Sequence, residues 1–581
     1  MAPNEPDLSL FLNPNLCANT DRCADGELSP CPNHASLACG KCKLVQYCSK
    51  DCQVADWPRH RFTCKSALMK EHWTPDWFIA GRKPAFIGSS LSVPFGTTKY
   101  LWGNMPALDI LQVNDNEGIA DKDRHFSLLF AASGDLRNVI KSVVGLPGGH
   151  MGGCTVAIND KDFVVVARNV IMLLIALQFD PEAAVPMIIH LWYSALLPAD
   201  MVLVLRSHIQ PLIGDVCAKI HSKPEGSLQA KTFTIGGRKL RLMLSKENWV
   251  ELLKYLDVPG EFTAENSRTI RQRVTCAPER VDYRERSMLQ WSPALRQGEK
   301  YFREEGVLLP YGCSLNSFDT PNPTFFQTSD WPMKDSASPR QGWLYSDYVQ
   351  YAPAATADEF GALFFYVRKL LLDFCHRVHK IDVSFELFHV NAQSLPSYIG
   401  YSKFDRIEIS NMCDMGYLGP RICLETFSDL LKPKSQNPKA TLLMLFLNAA
   451  AETEYNNRSP GSVKADMATA MMRLEKYMPL DRSRLAQIRN ADDLGKHPHF
   501  VRRSACYDMF KNWEKYFDLF LYQNSIDMHA RSCGLQLKDK HTIVEPWPYK
   551  VGPRTTQKEF DILRASSTVG YERYVEFEKT D

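Results

Sequence analysis

This sequence has no excess of charge of either sign. It sets 68 Lys and Arg against 66 Asp and Glu, a net of +2. That balance excludes a chain built throughout for nucleic acid, and one built around an acidic tail. Long apolar runs are also missing. The stretch from Phe163 to Leu177 is broken by Arg168 and Asn169 and falls short of the roughly 20 residues a membrane helix needs. The opening residues are acidic and lack the basic and apolar regions of a secretory signal. The phosphate-cradling, nucleophile-elbow and metalloprotease motifs are absent, as are internal repeats and low-complexity tracts. These absences lead us to expect an intracellular protein with no membrane span and no recognisable catalytic template. At 581 residues and 45% hydrophobic, the chain is long enough for three or four globular domains.

What is abundant is cysteine, and it is unevenly placed. Of 17 cysteines, eight fall before residue 65. In a reducing compartment such clustering points to metal before disulfides. Cys39 and Cys42 form a Cys-x2-Cys knuckle that can aim two sulfurs at one ion. Cys48 and Cys52 are four apart, as are His60 and Cys64, a spacing that lets each pair share a helix face. Zinc wants four S or N ligands in a tetrahedron. These six exceed one site, and two more upstream would complete two. Cys31 is the firmer choice; its partner is Cys17, Cys23 or His34. So small a module takes its fold largely from metal, worth on the order of 10–16 kcal/mol per structural zinc.

The run from Cys39 to Cys64, with Tyr47, Gln53 and Trp57 in place, closely resembles the MYND-type zinc finger. A RING finger would end in Cys-x2-Cys rather than His-x3-Cys. The resemblance implies two structural zinc ions in a cross-brace, Cys48 and Cys52 joining the upstream pair and Cys39 and Cys42 joining His60 and Cys64. Fungal members often begin Cys-Ala-Asn, matched by Cys17-Ala18-Asn19, and continue Cys-x-Asn, matched by Cys31-Pro32-Asn33. This assigns Cys17 and Cys31, with Cys23 in an insertion between them. It also implies a protein partner, a proline-containing peptide docking beside Gln53 and Trp57. From Lys41 to Lys65 six residues are basic and two acidic, which without a nucleic-acid motif reads as a solvated face. Many MYND proteins are SET-type lysine methyltransferases, but no Asn-His-Ser signature follows here.

The rest of the chain reads as an α/β body. Buried strands at 127–133 and 154–158 alternate with helices at 135–144, 162–178 and 181–196, a βαβ pattern that implies a parallel sheet. A second such unit lies at 358–447. We expect both to share one doubly wound, Rossmann-like sheet with helical insertions. The divisions expected are a finger over 1–70, the body's first part over 71–225, and an inserted hairpin, helical and loop region over 226–350. The body's second part follows over 351–460 and a mainly helical C-terminal region over 461–581. Within the insert, Gly236-Gly237 between alternating runs signals a hairpin. Leu101-Trp-Gly-Asn104 with Pro106-Ala107, Gly134-Asp135-Leu136-Arg137 and Asp405-Arg-Ile-Glu-Ile-Ser-Asn411 resemble an uncharacterised domain. It follows MYND fingers in many fungal proteins, in relatives of the Mss-type mitochondrial proteins and in the axonemal dynein assembly factor family. No chemistry attaches to it.

In a doubly wound fold ligands bind beyond the carboxyl ends of strands. Gly134-Asp135 opens a helix there, and Asp160 ends the next strand. A turn and a helix cap, with Arg137 and Arg168 paired to these carboxylates, is the simpler reading. An S-adenosylmethionine site is the alternative, although Gly-x-Gly-x-x-Gly is absent. The leading expectation is a zinc-binding interaction protein whose finger recruits a partner and whose body is a scaffold. The runner-up is an S-adenosylmethionine-dependent methyltransferase-like enzyme, and a third reading is an adaptor in ubiquitin ligation or transcription.

Overall fold

In the computed structural model the described residues are 7–24, 27–88, 94–481, 483, 488, 491–566 and 568–580. A nine-stranded sheet organises the body. In chain order its strands are β1 (Phe126–Phe130), β2 (Cys154–Asn159), β3 (Leu228–Ile235), β4 (Arg238–Ser245), β5 (Val383–Phe388), β6 (Arg406–Glu408), β7 (Thr441–Phe446), β8 (Leu535–Leu537) and β9 (Arg573–Lys579). Across the sheet they lie β8-β9-β7-β6-β1-β2-β5-β4-β3. The six from β7 to β4 are parallel, and both edges are antiparallel.

The central parallel strands β1, β2 and β7 are largely apolar because both faces are covered. Leu128 and Phe130 of β1 point into one buried cluster and Leu129 into the other. The helices that frame the site and the sheet are α1 (Lys50–Cys64), α2 (Arg137–Val144), α3 (Phe163–Gln178), α4 (Pro181–Tyr193), α5 (Glu359–Lys380), α6 (Pro420–Phe427) and α7 (Trp513–Gln523). Helices α2 to α5 fill the first cluster, while α6 and α7 fill the second. Both βα units therefore share one mixed sheet with helices. Its parallel strands, numbered along the chain, run 6-5-1-2-4-3 across the sheet, whereas the dinucleotide-binding order is 3-2-1-4-5-6.

Two expectations change in detail. The hairpin read as the start of an insert is the edge pair β3–β4, and β4 hydrogen-bonds to β5. Its turn glycines have φ +54° and +87°, the left-handed backbone a two-residue hairpin requires. The C-terminal region is not only helical, since β8 and β9 extend the sheet at its other edge. Within that region α7 ends at Gln523, and Ser525, at φ +48°, separates it from a further helix, Ile526–Ser532. The helical run Ala199–Ile220 has the length and hydropathy of a membrane span. A π-turn at Leu205–Ile209 interrupts it, and Ile209, Ile213 and Val216 pack into the body core.

Candidate metal centre

The finger is built around a short antiparallel pair, Leu37–Ala38 with Gln46–Tyr47. The Cys39–Cys42 knuckle lies in the connection between them, which closes by a bond from the Lys43 amide to the Cys39 carbonyl, 2.9 Å. Lys43 takes φ +52° there. Ser49 caps α1, its hydroxyl accepting from the Cys52 amide. Cys48 thus sits just before the helix, not on its face. Cys52, Asp56, His60 and Cys64 recur every four residues along α1, and the last three are buried.

The eight side chains converge as two groups. Cys17, Cys31, Cys48 and Cys52 place their sulfurs within 4.8 Å of one another, and Cys39, Cys42, His60 and Cys64 do the same with three sulfurs and one ring nitrogen. In the first group Cys48 is 3.5 Å from Cys52 and 3.7 Å from Cys31, and Cys31 is 3.8 Å from Cys52. In the second, Cys39 and Cys64 are 3.9 Å apart, and Cys42 Sγ is 3.4 Å from His60 Nε2. A disulfide needs about 2.05 Å, so none of these pairs is bonded. A tetrahedron with Zn–S of 2.3 Å has S···S edges of about 3.8 Å, and a shorter edge where nitrogen replaces sulfur. The spacings fit that ion. Burial by itself pushes the Cys17 and Cys42 thiols up to about 12. A divalent ion favours the thiolate form instead.

The groups alternate in pairs along the chain, which is the cross-brace. His34 belongs to neither group. The Cys23 backbone lies in a small hairpin opposite Leu28, and its side chain lies outside the described residues. Sequence reasoning missed the outer shell. Asn19 Nδ2 donates to Cys52 Sγ at 3.5 Å, and this bond leads the causes that bring that thiol down to about 7. The Cys-Ala-Asn triplet carried that signal. Buried Asp56 accepts from Tyr47 and from Arg59, and Arg59 reaches the Ala18 carbonyl, tying α1 to the first ligand loop.

Gln53 and Trp57 are neighbours one turn apart on α1. Gln53 accepts from Lys50 Nζ at 2.9 Å. Trp57 is 38% exposed, sets its edge against His60 at 5.9 Å, and lies under Lys65 Nζ at 5.7 Å. The opposite side of the finger meets the body. The Ala355 amide donates to Gln46 Oε1, the Ala357 amide to the Lys43 carbonyl, and Tyr311 bonds Thr63.

The strand tips of the body are closed on themselves. The Gly134 amide donates to Asp160 at 3.0 Å, and Asn169 donates to the Gly134 carbonyl at 2.8 Å. Leu136 holds the N-cap position of α2 without a side-chain cap of its own, while Asp135, one residue earlier, accepts from the Arg137 amide at 3.4 Å. Asp135 also accepts from the Gly103 amide and pairs with the Arg137 guanidinium at 2.5 Å. Among the described residues Arg168 forms no ion pair with a carboxylate. It donates to Thr324 and to the carbonyls of Leu191 and Trp192, and stacks 4.3 Å over Phe325. The space among Leu101, Asp135, Arg168 and Asn169 is too tight to admit a water molecule.

The MYND finger family matches residues 22–64, and a domain of unknown function, DUF4470, matches residues 101–197. The finger match begins after Cys17, although the geometry places Cys17 in the first group. The zinc finger MYND domain-containing protein 10 homolog of Drosophila melanogaster is 38% identical over 61 residues, 10% of this chain and 14% of that protein. The N-lysine methyltransferase SMYD2-B of Xenopus laevis is 47% identical over 38 residues, 6% of this chain and 9% of its own. The SET domain and MYND-type zinc finger protein 6 of Schizosaccharomyces pombe is 57% identical over 28 residues, 5% and 6%. The chain thus spans a seventh or less of the curated relatives it matches here. No solved structure matches. The chain carries a MYND zinc finger, a protein-interaction domain, joined to a DUF4470 domain.

Proposed function

We propose that this is an intracellular recruiting protein. Two zinc ions, one per group, hold the finger, and the side of α1 bearing Gln53 and Trp57 takes a proline-containing segment of a protein partner. The body serves as the scaffold on which the finger is mounted, of the kind found after MYND fingers in fungal proteins and in the Mss-type and dynein assembly factor families. One observation carries this reading. The finger spends one side on the body and the inner face of α1 on the metal groups, which leaves Trp57 exposed beside His60. A large aromatic side chain fixed in place at a surface is a common interface anchor.

The test is capture of a proline-containing peptide by the zinc-loaded full chain, with metal content measured on every variant. Gln53→Ala and Trp57→Ala should each weaken capture at least about fivefold, as loss of anchor contacts does. Zinc content and melting temperature should not move. Unchanged capture by both variants would sink the assignment.

A further inference from the structure

The surface around Trp57 combines cations and hydrogen-bond donors with exposed apolar side chains. Lys41, Arg61 and Lys65 are exposed there. The ion pairs of the finger's described residues involve Arg59, with Asp21 and Asp56, so these three cations stay uncompensated. The only exposed carboxylate of α1, Asp51, sits in its first turn. Arg61 lies 5.0 Å over Phe62 and Lys65 lies 5.7 Å over Trp57, so each charge borders an aromatic ring. Lys41 sits in the Cys39–Cys42 knuckle, and Cys39 Sγ lies 3.9 Å from Cys64 Sγ, which brings the knuckle to the C-terminal end of the helix. Among the described residues no acceptor meets the Trp57 indole N–H, and the Gln53 side-chain oxygen is used on Lys50.

Apolar surface lies between these groups. Val54 is 60% and Phe62 71% exposed. Pro58 stands inside the helix and has no amide proton, so the Val54 carbonyl lacks its i+4 helical donor.

We propose that the segment taken by this face is acidic. Its apolar, proline-bearing core would lie on Val54 and Trp57, and Asp or Glu side chains on either side of that core would meet Arg61, Lys65 and Lys41. This deepens the reading of Gln53 and Trp57 as a partner-binding face and rests on it. The aliphatic Val54 suits a peptide. A nucleic acid would want stacked rings along a basic groove.

The experiment uses the zinc-loaded full chain and three fluorescein-labelled peptides sharing the core Ala-Pro-Leu-Pro-Ala. One is flanked by three Glu on each side, one by three Ser and one by three Lys. Fluorescence anisotropy should show the Glu peptide bound about tenfold more tightly than the Ser peptide, and the Lys peptide weakest. That advantage should shrink as salt rises from about 50 to about 500 mM, where screening is nearly complete within a few ångströms. The double variant Arg61→Glu with Lys65→Glu should reverse the order while keeping its zinc. Equal binding of Glu and Ser peptides, still lost in Trp57→Ala, would overturn the charge proposal and leave the groove reading standing. Absence of binding to all three would overturn both. A twelve-nucleotide oligo-dT that displaces the Glu peptide and binds more tightly would also overturn it, and would make this face a nucleic-acid surface.

Discussion

The side chain of Gln46 joins the finger to the body: its oxygen accepts from the Ala355 amide at 2.9 Å, 309 residues further along the chain, while its amide donates to the Ala35 carbonyl at 2.9 Å. Gln46 is buried, so both bonds are shielded from water. The finger is therefore not a pendant module on a linker. It is keyed into the loop before α5, whose N-terminus is capped by Asp358.

That keying makes the metal centre matter beyond the finger. Two zinc ions per chain are expected by elemental analysis. Stripping them with a chelator should unfold residues 17–64 and lower the melting temperature of the body by several degrees, because Ala355, Ala357 and Tyr311 lose their partners. A body transition unmoved by chelation would show that the interface contributes nothing.

Cys17 and Cys23 can be told apart directly. Cys17→Ser should leave about one zinc per chain, since its sulfur is one of the four that converge. Cys23→Ser should retain both ions. The opposite pattern would reassign the first ligand.

Gly312 lies where the body packs against the finger. It has φ +90°, and a Cβ there would meet Ala18 Cβ at 3.0 Å and Val45 Cγ1 at 3.1 Å. Both the backbone strain and the contact oppose any side chain. Gly312→Val should cost about 1–3 kcal/mol by denaturant titration. A neutral result would mean the loop moves freely away from the finger.

Glu408 predicts a pH effect with a definite sign. Burial at the end of β6 raises its carboxyl from an ordinary 4.5 to about 7. The folded chain then keeps a proton that the unfolded chain gives up between those values. Its contribution is fully present below pH 4.5, falls as pH rises to 7, and changes no further above. Glu408→Gln should melt with the parent at pH 5 and a few degrees above it at pH 8. Identical behaviour at both values would place the carboxyl in water.

The metal groups were legible in the sequence because coordination dictates spacing: a knuckle, and ligands one helical turn apart, admit few geometries. The central strands were legible too. Cys154–Asn159 and Thr441–Phe446 are buried on both faces and read as apolar runs. Strand β9 escaped because Glu576 sits in its middle. That carboxylate is fully buried, held by Lys538 and by the amides of Thr542, Ile543 and Val544, and no local pattern announces partners more than thirty residues away. The Gln46–Ala355 bond is hidden for the same reason. Arg168 looked like an ion-pair partner for a nearby acid, yet carbonyl oxygens and an aromatic ring satisfy it instead.

The place of the ligands along the chain also sets an order of events at the ribosome. All eight lie between residues 17 and 64, while the groups that receive the finger, Tyr311, Gly312, Ala355 and Ala357, emerge roughly 250 to 300 residues later. At about 5–20 residues per second, the young finger spends on the order of fifteen seconds or more with no body to lean on. Over that interval zinc alone must keep it folded, so metal supply during synthesis decides whether the body finds a finger ready to dock.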